Sequence, residues 1–200
     1  MSMIEFYLEV VQALNEINAP YMIVGAFGAS SYGLARSTMD VDIIVDLRDE
    51  NCEALARKFP PPRFYADPEQ MRESIQLGIM FNLIDGNRGT KADLVPLSRE
   101  PEYRESFARR VLRNFEGPNQ TTFEAWCAQA EDIIIGKLMA WDEGRSLKHA
   151  NDISAMLEFD VHGMSEQPLN LPMISARAAR ISPDAADLWR DLLKRAQAKS

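Results

Sequence analysis

Cysteine and histidine are scarce in this chain. Cys52 and Cys127 stand far apart in 200 residues and outside any Cys-x-x-Cys spacing. That argues against a disulfide framework or a zinc ribbon. His149 and His162 are the only histidines, which further weakens a transition-metal reading. Long apolar runs are also missing: none approaches the ~18 residues that a membrane-spanning helix needs. The opening MSMIEFYLEVVQAL places acids inside its apolar stretch and has no basic leader, unlike a signal peptide. A cytoplasmic protein with no membrane partner is expected. Positive charge is in deficit as well, with 22 Lys and Arg against 30 Asp and Glu and a net charge of −8. Coating nucleic acid by charge alone is therefore disfavoured. A local basic patch, or a metal site built of carboxylates, is not.

What remains is an ordinary globular balance, with 46% hydrophobic and 26% charged residues, enough to form a core. The expected organisation is an α/β (α+β) domain over 1–118, a mixed sheet flanked by helices, and a helical C-terminal region over 119–200 packed on it. Ile4, Leu8, Val11, Leu14 and Ile17 recur at threes and fours and predict a helix over 3–17, stopped by Pro20. Tyr21 to Val24 is a short apolar run ending at Gly25, a buried strand. The small residues of 26–33 suit a short helix. DVDIIVD over 40–46 reads as a strand, and 49–59 as a helix closed by Pro60-Pro61-Pro62. Ile79 to Ile84 and Ala92 to Leu97 flank the turn-rich DGNRGT as a hairpin. A helix over 101–110 and an edge strand over 111–115 follow. From about residue 122 the texture reads as helical, with an irregular stretch over 160–172. Ser182-Pro183 opens a last helix, serine as cap and proline in the first turn.

The chemistry concentrates in Val24-Gly25-Ala26 and in Arg36-Ser37-Thr38-Met39-Asp40-Val41-Asp42-Ile43. Strand residues alternate faces, so Asp40 and Asp42 share one. Carboxylates side by side repel unless a cation lies between them. Mg²⁺ meets that need, taking hard oxygen ligands and completing its shell with phosphate and water. Gly25 lets a phosphate come close to the backbone, and the start of a short helix would aim N–H groups at it. The bland alternative is a solvated strand start. Against it, Asp42 runs into the apolar Ile43-Ile44-Val45, and a third acid, Asp93, interrupts the apolar pattern of Lys91-Ala92-Asp93-Leu94-Val95. Asp93 is either an outward residue on an edge strand or a third metal ligand, and the company of the other two favours the second. Asp46 and Asp85 fall at strand ends, where turns commonly place aspartate.

Gly-x-x-x followed by Arg-x-Thr-x-Asp-x-Asp, with a later strand aspartate, resembles the DNA polymerase beta-like nucleotidyltransferase superfamily. The match is nearest to the small bacterial group that includes abortive-infection and toxin–antitoxin nucleotidyltransferases. It extends through Glu131-Asp132-Ile133-Ile134, Lys137, Arg145, Lys148 and Asp152-Ile153, which resemble that group's lysine and aspartate on successive helices. The resemblance implies a nucleotidyltransferase-type sheet and transfer of a nucleoside monophosphate from an NTP to a hydroxyl. It implies Asp40, Asp42 and Asp93 as ligands of Mg²⁺ (or Mn²⁺), with Asp93 also activating the acceptor. It further implies Lys137 at the triphosphate, Arg36 and Thr38 beside the phosphates or bracing the loop, and Asp152 orienting Lys137 or Lys148. Gly25 and Ala26 would lie against the nucleotide. Two positions depart from the pattern. Ala26 stands where Ser or Gly is usual and offers a phosphate only its N–H, although Ser30 and Ser31 follow. His149 stands after Lys148 where an acid is frequent.

Lys137 and Asp152 also have simple readings, as a solvated lysine covering apolar surface and a surface acid. Trp126 and Trp141 read as packing residues. The acceptor stays open among an RNA 3′ end, a protein side chain and a small molecule. A cognate partner protein would accompany a toxin–antitoxin role. Arg104, Arg109, Arg110 and Arg113 form a locally basic stretch that could meet RNA, or a solvated face balanced by Glu102 and Glu105. A second class of function is a catalytically weak or inactive module that acts by binding a protein or nucleotide. A plain structural α/β protein would leave the three aspartates unexplained.

Overall fold

The computed structural model describes residues 3–34, 38 and 40–198. The chain forms two compact units, Met1–Phe27 with Ser37–Ala128, and Gly28–Arg36 with Gln129–Ser200.

The first unit is built on a mixed sheet. Among the described residues it has seven strands in the order β3-β4-β5-β2-β1-β7-β6. The strands are β1 (Tyr21–Val24), β2 (Asp40–Val45), β3 (Phe64–Tyr65), β4 (Phe81–Asp85), β5 (Thr90–Pro96), β6 (Val111–Glu116) and β7 (Thr122–Cys127). The helices of this part are α1 (Met3–Glu16), α3 (Asp49–Lys58), α4 (Pro68–Leu77) and α5 (Pro101–Ala108), and α2 (Gly25–Ser30) starts in it and runs on into the second. β1 reads as unbroken apolar sequence because it is central, lying between β2 and β7. β2 runs antiparallel to β1 and parallel to β5. Its burial alternates at Asp40-Val41-Asp42-Ile43 and then becomes continuous through Val45. The strand thus passes from a polar mouth into the core. α1 buries Phe6, Tyr7, Val10, Val11, Ala13 and Leu14, the stripe that its periodicity predicts. Phe6 stacks on Phe64 and meets Phe59 edge-on.

The second unit contains α6 (Ala130–Gly144), α7 (Leu147–Val161), α8 (Leu171–Ile181) and α9 (Pro183–Gln197). These pack on one another, α6 against the other three and α9 against α7 and α8. The Ser182 hydroxyl accepts from the Ala185 N–H and caps α9 as expected. No helix among the described residues is long and apolar enough to cross a membrane.

Three segments differ from the sequence reading. Residues 122–127 form β7 rather than helix. Ala125 and Cys127 are buried in alternation with Glu124 and Trp126, a strand period too short to stand out before the helical run. The sheet therefore continues past the boundary expected at residue 118. Within the irregular stretch, Pro172 starts α8 instead of breaking it, because the Asn170 side chain accepts from the Met173 N–H and proline has no N–H to lose in a first turn. Residues 68–77, where the sequence pattern predicts no element, form α4, which is capped by Asp67 and ended by Gly78 at φ +65°.

Asp85 is a structural residue at the β4–β5 hairpin. It is fully buried, accepts from Arg63 at 2.8 Å and from the Asn87 N–H at 3.0 Å, and pairs with Arg88 at 3.2 Å. Burial pushes its pKa up. The Arg63 hydrogen bond, the Asn87 N–H and the two guanidinium charges outweigh that, and the net shift is downward. A depressed folded-state pKa contributes stability above the unfolded value of ~3.9, and the contribution is lost as pH falls through the folded value. Asp85→Asn should therefore melt at lower temperature than the wild type at pH 7. The gap should narrow progressively below about pH 4, as a series of thermal melts against pH would show.

Candidate active site

Parallel pairing of β2 with β5 sets Asp42 opposite Asp93 and Asp40 opposite Lys91. Partners in register present side chains to the same face, so the three aspartates expected to act together do share one side of the sheet. Val24 of β1 is the register partner of Asp42 on its other flank. Immediately after it, Gly25 adopts φ +66°. A Cβ at Gly25 would lie 2.0 Å from Asp42 Oδ2. Glycine is required here twice over, for its left-handed backbone and for the carboxylate against it.

The carboxylates are compensated from within the strand. Lys91 Nζ donates to Asp93 Oδ1 at 2.8 Å and to Oδ2 at 2.7 Å, and lies 3.8 Å from Asp40 Oδ1. Asn82, opposite Asp93 on β4, also donates to Asp93 Oδ1. The Asp93 hydrogen bond raises the Lys91 pKa against its partial burial, and the charges of Asp93, Asp40 and Asp42 add to the rise. Among the described residues, no three acidic, histidine or cysteine side chains are gathered closely enough to enclose a metal ion as they stand. Asp93 is turned to Lys91 and Asn82 instead. Tyr7 of α1 completes the surroundings. Its hydroxyl is buried and, among the described residues, has no hydrogen-bond partner. Burial first, then the charges of Asp40, Asp42 and Asp93, push its pKa up to about 12. Lys91 was legible in the sequence, two residues before Asp93 and so on its face. Tyr7 and Asn82 come from other elements, and no local pattern marks them.

Other expected residues fall as follows. The Thr38 hydroxyl donates to the Asp40 carbonyl at 3.0 Å and accepts from the Asp40 N–H, bracing the start of β2. Ala26 is buried. The Ser31 hydroxyl donates to the Gly28 carbonyl at 2.8 Å. Arg36 lies outside the described residues. Asp46 is exposed beyond the end of β2.

No family model matches the sequence, and no curated protein matches it. Solved structures do match. One is an antigenic nucleotidyltransferase-like protein from Paracoccidioides brasiliensis, with TM-score 0.51 and 16% identity over 94% of this chain and 92% of that one. JHP933 from Helicobacter pylori matches with TM-score 0.51 and 12% identity over 98% and 90%. ANT(2")-Ia in complex with adenylyl-2"-tobramycin matches with TM-score 0.50 and 13% identity over 98% and 99%. The chain has the nucleotidyltransferase fold. At such identities the likeness speaks for the fold, and the chemistry rests on the residues of this chain.

In the helical unit of this nucleotidyltransferase fold, Lys137 and Asp152 are both buried and their charges meet at 2.7 Å. The Lys137 ammonium donates to Asp152 Oδ2, so neither is the solvated surface residue of the simple reading. A second buried pair, Arg177 with Asp132 at 2.5 Å, ties α8 to α6. The basic stretch of the first unit is largely engaged. Arg109 pairs with Glu105. Arg110 lies over the rings of Phe107 and Trp126 at 4.3 and 5.1 Å, and burial lowers its pKa.

Two outcomes are expected. Gly25→Ala should cost about 1–2 kcal/mol for the left-handed backbone and force Asp42 aside. Thermal melts would read the first effect, and weakened binding of a metal–nucleotide complex the second. Lys137→Met leaves Asp152 buried without its cation, and should cost about 3–5 kcal/mol in chemical denaturation. Lys137→Met with Asp152→Leu should recover part of that loss. Full additivity of the two changes would show that the pair is not coupled.

Proposed function

We propose that this chain is a metal-dependent nucleotidyltransferase that moves a nucleoside monophosphate from a nucleoside triphosphate to a hydroxyl. The observation that carries this reading is the register of Asp42 against Asp93, with Asp40 on the same face and Gly25 closed against Asp42. The donor set suits Mg²⁺ or Mn²⁺, since it is three carboxylates, and the cluster already accommodates one cationic group, the Lys91 ammonium. Bound by Asp40, Asp42 and Asp93, the metal would supply positive charge to the triphosphate oxygens. In the transfer, the acceptor oxygen bonds to the α-phosphorus as the bond from that phosphorus to pyrophosphate breaks. Pyrophosphate leaves with the electron pair, and the hydroxyl proton passes to the Asp93 carboxylate. The backbone N–H of Ala26 is what that residue can offer a phosphate.

The engaged state of Arg109 and Arg110 and the net charge of −8 favour a small-molecule or protein acceptor over RNA. The ANT(2")-Ia structure contains adenylyl-2"-tobramycin, a nucleotidylated small molecule, which fits the first of these. A toxin–antitoxin role with a cognate partner rests on the resemblance of the sequence motifs. A second reading also has an observation behind it. Lys91 occupies both oxygens of Asp93 and Ala26 lacks a hydroxyl, which suits a catalytically weak module that binds nucleotide or protein.

Incubation with each α-labelled nucleoside triphosphate, Mg²⁺ and separate pools of RNA, protein and small molecules distinguishes the two. The enzyme reading expects label in one pool. It expects Asp93→Asn to keep nucleotide affinity while lowering turnover by roughly 10²-fold or more, and Asp42→Asn to weaken binding and transfer together. Ala26→Ser should leave activity equal or higher. Absence of transfer with every triphosphate, together with partner binding that ignores Asp93→Asn, would establish the module.

A further inference from the structure

Lys91 has no part in the proposed transfer, yet its ammonium is in contact with two of the three carboxylates. Its Nζ holds both oxygens of Asp93 and stands 3.8 Å from Asp40. The Asp93 side chain is only 9% exposed, whereas that of Lys91 is 39% exposed. The carboxylate is therefore fixed and the lysine stem is free to swing toward solvent. Asn82 holds Asp93 independently from β4, so release of Lys91 would not leave the carboxylate unpartnered. An ordinary surface ion pair would engage one exposed carboxylate. This ammonium bridges two acids on adjacent strands, on the face where a divalent cation would need the same oxygens. Building on the metal-dependent reading above, we propose that Lys91 is the resident cation of the cluster and competes with the divalent metal for Asp93.

Two consequences follow from one contact. Lys91 keeps the metal-free site assembled, since three acids on neighbouring strands would otherwise repel. It also sets a threshold for metal, because apparent affinity falls by the fraction of molecules in which Asp93 is free to bind. Lys91 is thus a positioning residue. Its effect on metal affinity is opposite in sign to that of a ligand.

The test uses Mn²⁺ alone, titrated calorimetrically into the full chain, with thermal melts in chelator and in Mn²⁺. Lys91→Met should bind Mn²⁺ about tenfold more tightly than wild type, as expected if Asp93 is lysine-bound roughly nine-tenths of the time. It should melt lower in chelator and gain more from the metal. Lys91→Arg retains the charge and should stay near wild-type affinity. Asp40→Asn with Asp42→Asn in the Lys91→Met background should abolish the tight binding. If Lys91→Met does not fold, Lys91→Gln carries the same expectation. Wild-type binding of Mn²⁺ with no gain in either neutral variant would overturn the competition and leave the proposed function intact. No Mn²⁺ binding at millimolar concentration by wild type or neutral variants would overturn both. Tight binding that survives loss of Asp40 and Asp42 would place the metal elsewhere and overturn the inference.

Discussion

Aspartates opposite one another on adjacent parallel strands create a charge problem that the surrounding residues must solve. The β2–β5 register fixes Asp42 against Asp93, and neither can be moved to the other face without slipping a whole strand. Every neighbouring feature answers that constraint. Gly25 gives up its side chain to the Asp42 carboxylate. Lys91 and Asn82 hold Asp93. Thr38 ties down the Asp40 backbone by two hydrogen bonds. Tyr7 brings a buried hydroxyl without a partner among the described residues, and an unsatisfied buried donor is costly in a fold that serves only its own stability. A site that stores such cost is more readily understood as a binding site than as a strand pair.

How much of this was legible in the sequence follows from the range of each interaction. Asp40 and Asp42 announce themselves because strand alternation is local. Asp93 does so because an acid in an apolar run needs a partner. The same local rule places Lys91 on the face of Asp93, so the compensating charge was readable there. Tyr7 was hidden for a different reason: its position in the stripe of α1 is that of any core residue, and only tertiary packing brings it to the acids. β7 was lost because Thr122–Cys127 adjoins the helical run that begins at Ala130, and six residues of alternation weigh little beside it. Pro172 misled because a proline marks either the end of a helix or its first turn, and the Asn170 cap decides for the latter.

The helical unit solves a charge problem of its own by a different route. Lys137 with Asp152, and Arg177 with Asp132, are pairs buried between helices. Removing such charges from water is expensive, and their attraction only about offsets the loss. Each pair therefore adds little to net stability, yet losing either partner is severe. That asymmetry fixes which helix faces meet. It also accounts for the lysine and aspartate on successive helices in the sequence motif, since each needs the other whatever further contact Lys137 makes.

The contrast between the two solutions bears on the proposed exchange of cations. In the pair Lys137–Asp152 both side chains are almost wholly buried, at 5% and 4% exposure, so the charges have nowhere else to go. In the pair Lys91–Asp93 the lysine is 39% exposed, and solvent can take the ammonium at modest cost. A permanent structural pair would gain from burying both partners, as Lys137 and Asp152 are buried. An exchangeable one needs the arrangement seen here, with the acid buried and the cation partly exposed. A cluster built only for architecture would also have no use for Gly25, since a larger residue with an ordinary backbone would fill the space that Asp42 occupies. The glycine preserves the carboxylate, and the exposed lysine preserves access to it. Both features are what the proposed exchange of the lysine for a divalent metal requires.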